Sequence, residues 1–143
     1  MDPRSITDDF AVSPQITAED IPELARHGFR SVICNRPDGE DPGQPDFDQI
    51  ALAAKDAGIE ASWIPVASGV VTGEAARQFR EALSDMPGPV LAYCRSGTRC
   101  TMLWSLAQIG RMETDRILEV TGKAGYDMSG ILRQAGAGLG GPA

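Results

Sequence analysis

Long apolar runs are missing from this chain of 143 residues. Nothing in it approaches the roughly 18 consecutive apolar positions that a membrane-spanning helix needs. Histidine is nearly absent, with His27 alone, and no Cys-x-x-Cys pair occurs. The residue types that build transition-metal sites are therefore lacking, and neither a metal nor another cofactor is expected. The cysteines, Cys34, Cys94 and Cys100, are odd in number and do not make a disulfide framework. With no basic-then-apolar leader in MDPRSITDDF, they point to a reducing cytoplasm. Positive charge is in deficit too: 13 Lys and Arg stand against 20 Asp and Glu, for a net charge of −7. Nucleic acid and anionic membrane surfaces are thereby disfavoured as partners, while small anions captured by local donors are still compatible. Internal repeats and dividing linkers are lacking as well. One domain is expected over 1–135, with a flexible tail over 136–143.

What is there alternates. Phe10–Val12 reads as a short first strand, and Thr17-Ala-Glu-Asp20 as a capped helix start carrying Ile21, Leu24 and Ala25 inward to the Gly28 stop. His27 would sit at that helix's negative end. Phe29–Cys34 is a strand by its β-branched and aromatic content, and the segment 35–43 is a loop. A helix over 47–57, a strand over Ile59–Val66 and a loop over 67–72 follow. Residues 73–85 place Ala76, Phe79 and Leu83 at helical spacing. Val90–Tyr93 is the next strand and Thr98–Ile109 the next helix, with two shorter helices near 114–120 and 127–135. Strands alternating with helices imply an α/β fold, a largely parallel sheet flanked by helices. Trp63 and Trp104 are expected in its core. The tail Gly136–Gly141 matches GxGxxG in form, but it follows a helix and leads into no other element, so it is not a dinucleotide site.

The segment Pro89–Cys100, PVLAYCRSGTRC, carries the chemistry. In an open α/β sheet, ligands bind at the carboxyl ends of strands, and Cys94 stands at such an end with a helix following at once. Backbone N–H groups of Arg95, Ser96, Gly97 and Thr98 can form an anion-binding nest, aided by the helix's positive pole. A cysteine so placed has its thiolate stabilised. Gly97 supplies backbone angles that a side chain forbids, and Arg99 a planar fork of donors for an oxyanion.

CRSGTR resembles the active loop of rhodanese-type sulfurtransferases, Cys-x4-Arg, and also the Cys-x5-Arg loop of cysteine-dependent phosphatases. Together with FAVSPQ, SVICNRPDGE and WIPV it resembles the bacterial DUF442 family, also called Blh-like, over about residues 5–135. That resemblance implies a dual-specificity-phosphatase-like fold, with Cys94 as nucleophile and Arg99 as anion binder. It implies either of two reactions, and a place beside sulfide-oxidising enzymes as partners.

Loop length favours sulfur transfer. One residue fewer in the ring removes about 3.5 Å of chain, leaving a cup suited to a single added sulfur rather than a phosphate. The general acid that dual-specificity phosphatases carry after the IPV-like strand is replaced by Ala67-Ser68-Gly69. Its loss costs about 10² to 10⁴ in rate, whereas sulfite leaves thiosulfate without a proton. Tyr93 stands where the phosphatase motif has histidine, and Cys100 where it has serine or threonine. The expected activity is thus a sulfurtransferase forming a Cys94 persulfide from a small sulfur-containing anion or persulfide. The alternative is a phosphatase-like hydrolase with a phosphocysteine.

Other candidates flank the loop. Arg36 could recognise the anion and Asp38 act as a displaced acid, although a capped turn explains both equally well. Cys34 and Cys100 are candidate resolving thiols, with small core residues as the plainer reading of each.

Overall fold

Four strands of one sheet run parallel and finish level, and this alignment builds the site. The sheet belongs to a computed structural model that describes residues 1–68 and 70–138. Its strands are β1 (Arg4–Thr7), β2 (Phe10–Ser13), β3 (Ser31–Cys34), β4 (Glu60–Trp63) and β5 (Val90–Tyr93), in the order β1-β2-β5-β3-β4. Only β1 is antiparallel. Ser13 and Cys34 both pair with Tyr93, and Trp63 pairs with Cys34. The loops leaving β2, β3, β4 and β5 therefore emerge side by side. Chain order reverses around β5, the switch point at which α/β sheets open a crevice.

The helices are α1 (Ile21–Arg26), α2 (Phe47–Asp56), α3 (Gly73–Asp85), α4 (Thr98–Ala107), α5 (Thr114–Lys123) and α6 (Ser129–Gly138). Strand alternation sorts them into two layers. Leu91, Tyr93, Val32 and Cys34 face Ile21, Leu24, Ile50 and Ala54 of α1 and α2. Val90, Ala92 and Ile33 face the other way, onto Phe79 of α3, Leu103 and Trp104 of α4, and Ile117 and Val120 of α5. All four residues of β3 and of β5 are buried, as strands covered on both faces must be.

Expectation and structure agree on α3 and β5 residue for residue. Thr17 and Asp20 form the anticipated capping box, although the first turn is a 3-10 turn, Ala18–Asp20, ahead of α1. His27 is the C-cap of α1. β4 is shorter than Ile59–Val66: the regular ladder stops at Trp63, although Ile64 and Val66 still donate to Cys34 O and Asn35 O beyond it. α4 ends at Ala107 rather than Ile109, and α5 runs on to Lys123. β1 is an element the sequence did not disclose. Trp104 is core and stacks on Phe10, with centroids 5.8 Å apart. Trp63 is not: it lies on the edge strand, 41% exposed, stacked on Phe47 at 5.3 Å. The backbone of α6 extends three residues into the stretch expected as tail, and the rest of that tail lies outside the described residues. Among the described residues no helix is long and apolar enough to cross a membrane.

Phe10 links the layer of α3 and α4, since Phe79 meets its ring edge-on at 5.8 Å while Trp104 stacks on it. Phe79 is fully buried. Replacing it with alanine is expected to cost about 3–5 kcal/mol, read as a lower urea midpoint at unchanged slope.

Candidate active site

Cys94 follows the last residue of β5 and opens the loop into α4. Gly97 caps that helix with φ at 90°, a conformation costly for any residue with a Cβ. This bend turns the Gly97 N–H onto Cys94 Sγ at 3.1 Å. Tyr126 braces the loop from outside: its hydroxyl donates to Ser96 O at 2.9 Å and leaves no room for a side chain on Gly97. From within α4, Thr101 donates both its N–H (3.0 Å) and its hydroxyl (2.8 Å) to Gly97 O.

The Cys94 thiol is held at about 5, far below its ordinary 9.0. The largest cause is the hydrogen bond from the Cys100 thiol. Burial opposes it, and backbone N–H groups of Cys100, Ser96 and Gly97 add further stabilisation. Cys100 itself is pushed up, first by burial and then by its bond to Cys94, so it keeps the proton that it donates. Nucleophile and donor are thus two thiols of contrasting acidity, one opening the loop and the other in the first turn of α4.

Arg99 is only 7% exposed. Its Nη1 donates to Glu40 Oε2 at 2.8 Å and to Val66 O at 2.7 Å, and its Nη2 to Glu40 Oε1 at 2.8 Å. The Nε–H and one Nη2–H are left over, two adjacent donors suited to an oxyanion. Glu40 is held at about 2, first by Arg99 against the opposing effect of burial, then by Arg36. It is a permanent anion that fixes the guanidinium in place.

Behind Glu40, Arg36 is 2% exposed, and all three of its nitrogens have acceptors: Nε meets Glu40 at 2.8 Å, Nη1 meets Gln15 Oε1 at 2.8 Å, and Nη2 meets Asp41. Expected to meet the anion itself, Arg36 is engaged in positioning the two carboxylates. Asp41 also takes both the Nε and the Nη2 of Arg95, an exposed residue of the Cys94 loop. Asp38, the candidate acid, accepts the Phe47 N–H at 2.8 Å at the start of α2. The Ser96 hydroxyl donates to that of Thr98 at 2.9 Å. Cys34 lies in the core of the α1 and α2 face, against Tyr93 and bonded to Arg36 O at 3.3 Å, whereas Cys94 and Cys100 lie in the other core. Of the two candidate resolving thiols, Cys100 is the one that shares a core with Cys94 and lowers its pKa. All three cysteines are free. Among the described residues no cluster of His, Cys, Asp and Glu is placed to hold a metal ion.

Glu40, Asp41, Gln15 and Tyr126 build the site without a sequence signal of their own. The first two appear only as acids in a loop leaving a neighbouring strand. Gln15 and Tyr126 give no hint at all, because their contacts reach across 21 and 30 residues.

Alkylation of Cys94 by iodoacetamide, followed by peptide mass mapping, should switch on as pH rises through about 5. Below that value the sulfur carries its proton and is unreactive. Cys100→Ala should move the midpoint upward, and Cys100→Ser less so, because a hydroxyl can still donate. Gly97→Ala should raise it as well, by breaking the bend that aims the Gly97 N–H. A wild-type midpoint at the ordinary thiol value would contradict this geometry.

Comparison with known proteins gives the site its family. Residues 2–111 match the family described as "Beta-lactamase hydrolase-like protein, phosphatase-like domain". The Beta-lactamase hydrolase-like protein of Xylella fastidiosa (strain Temecula1) is 36% identical over 125 residues, which are 86% of this chain and 29% of the relative. Its counterpart in Agrobacterium fabrum is 35% identical over 130 residues, covering 90% and 30%. The chain therefore spans less than a third of these relatives' length. Among solved structures, a candidate phosphatase from Neisseria meningitidis Z2491 superposes with a TM-score of 0.80 at 33% identity, covering 92% of this chain and 94% of that one. The catalytic core of a PP-IP phosphatase from S. cerevisiae shares the fold, with a TM-score of 0.63 at 16% identity and coverage of 98% and 94%. These descriptions reverse the order reached from loop length: they back a phosphatase-like cysteine enzyme and lend sulfur transfer no support. The chain belongs to the Beta-lactamase hydrolase-like family, as its phosphatase-like domain.

Proposed function

We propose that this chain hydrolyses phosphate esters through a phosphocysteine on Cys94. The observation that carries the reading is a thiolate formed at about 5 beside a buried guanidinium that keeps two donors free. The family description and the phosphatase-like neighbours support it further. In the first half-reaction Cys94 Sγ attacks phosphorus. The S–P bond forms as the P–O bond breaks, and the electron pair leaves with the ester oxygen. Arg99 and the loop amides meet the charge on the phosphoryl oxygens. Water then attacks phosphorus, the S–P bond breaks, phosphate departs and the thiolate returns. A thiol of low pKa serves both halves, as ready nucleophile and as good leaving group.

Sulfur transfer is the second reading, favoured by one feature: four residues separate Cys94 from Arg99, where the phosphatase motif has five. Intact mass after brief exposure to p-nitrophenyl phosphate or to thiosulfate distinguishes the two, since Cys94 gains a phosphoryl group in one case and a single sulfur in the other. Cys94→Ser should abolish turnover. Glu40→Gln should lower kcat/KM by about 10²-fold, because it frees Arg99 to drift from its place. Sulfur addition without phosphoryl transfer would overturn the hydrolase reading.

A further inference from the structure

Breaking a P–O bond leaves charge on the departing oxygen, and an enzyme that accepts basic leaving groups supplies a proton there. Four segments are candidates to bring a donor near Cys94. The loop after β2, 14–17, contains no carboxyl group or histidine. The loop after β4, 66–72, borders Arg99 through Val66 O and contains no carboxyl group or histidine. The loop after β3 contains four carboxylates, and each already holds protein donors: Glu40 has Arg99 and Arg36, Asp41 has Arg36 and Arg95, Asp38 has the Phe47 N–H, and Asp46 caps α2 on the Gln49 N–H. The link before α6, which braces the Cys94 loop through Tyr126, offers Asp127. That side chain accepts the Ser129 N–H at 3.0 Å and the Ser129 hydroxyl at 2.7 Å. Donors converging on a carboxylate favour its charged form, which holds Glu40, Asp41 and Asp127 below their ordinary values, while Asp38 and Asp46 are committed to the start of α2.

The remaining proton carriers are also committed. The Cys100 thiol donates to Cys94, the Tyr126 hydroxyl to Ser96 O, and Tyr93 is buried against Cys34 on the opposite face of the sheet. His27, the chain's single histidine, ends α1 just ahead of β3, at the amino edge of the strands rather than the carboxyl edge where Cys94 stands. Every Asp and Glu of the chain lies among the described residues, and those placed above are the ones in the segments that border Cys94.

From this arrangement, and resting on the phosphocysteine reading above, we infer that the site takes small monophosphoryl compounds whose leaving group departs as a stable anion. Acyl phosphates and phosphates of acidic phenols or enols form that class. Cys94 Sγ takes the phosphoryl group as the P–O bond breaks, the leaving oxygen keeps the electron pair, and it departs as carboxylate, phenolate or enolate without a proton from the protein. Phosphoserine and phosphothreonine, whose alkoxides are far more basic, are excluded, and phosphotyrosine, with a phenol near about 10, is a poor substrate. Charge narrows the class further. Arg36, Arg95 and Arg99 are balanced by Glu40, Asp41 and the Cys94 thiolate on a chain of net charge −7, which offers no cationic surface for polyphosphates.

Quenched single-turnover mass spectrometry of the full chain tests this with acetyl phosphate, p-nitrophenyl phosphate, phenyl phosphate and O-phosphoserine. Cys94 should be phosphorylated rapidly by the first two. Phenyl phosphate should react at least about 10²-fold more slowly than its nitro derivative, and phosphoserine not at all. Asp38→Asn should reproduce the same spread of rates. Phenyl phosphate reacting within tenfold of nitrophenyl phosphate, or a rate lost in Asp38→Asn for phenyl phosphate alone, would reveal a proton donor and overturn the inference while leaving phosphoryl transfer intact. No phosphoryl group on Cys94 even with acetyl phosphate would overturn the phosphocysteine reading itself, and this inference with it.

Discussion

The two-point contact between Glu40 and Arg99 is the constraint on which the site depends. Taking charged groups out of water is costly, and a partly buried pair is tolerated only with good geometry and further hydrogen bonds. Both conditions hold here: each carboxylate oxygen meets its own guanidinium nitrogen, Val66 O takes another hydrogen, and Arg36 supports Glu40 from behind. Asp41 repeats the arrangement one residue on, tying Arg36 to Arg95. The loop after β3 is thereby joined to the loop after β5 by alternating charges. The partners are 54 and 59 residues apart in sequence, and they meet only because β3 lies beside β5 in register.

With the charge of Arg99 largely answered by Glu40, the thiolate of Cys94 draws its stability from nearer at hand. A sulfhydryl and three backbone N–H groups of the loop and the first turn of α4 outweigh the cost of burial. The two functions are thus separated. Local backbone sets the acidity of the nucleophile, and a long-range ion pair sets the direction of the anion-binding fork.

That separation explains what could be read from the chain in advance. The Cys94–Arg99 loop, β5 and α3 are local in origin: a strand of apolar residues, a glycine needing positive φ, a helix with a clear apolar stripe. Their place and chemistry were legible for that reason. Glu40 was not, because nothing in NRPDGED says that one of its acids reaches an arginine 59 positions later. Asp38, the candidate displaced acid of the same loop, is found at the start of α2. β1 escaped notice because RSIT is short and only half apolar, so its pairing with β2 comes from tertiary contact. Trp63 departs from the expected core because hydrophobicity does not tell an edge strand from a central one. The choice between phosphorus and sulfur turned on a single missing loop residue, too slender a feature to outweigh the kinship of the whole fold.

The acidity of Cys94 exists only while the loop is folded. In the unfolded chain the thiol returns to its ordinary 9.0, while in the native protein it sits near 5. At neutral pH the unfolded chain holds this proton and the native one does not, so each folding event expels it into solvent. The thiolate's contribution to stability is complete above 9.0, shrinks as acidity increases, and vanishes as pH falls through about 5. The same sulfur that makes the site reactive makes mild acid an enemy of the fold, with the loss starting well above the range in which ordinary carboxylates titrate.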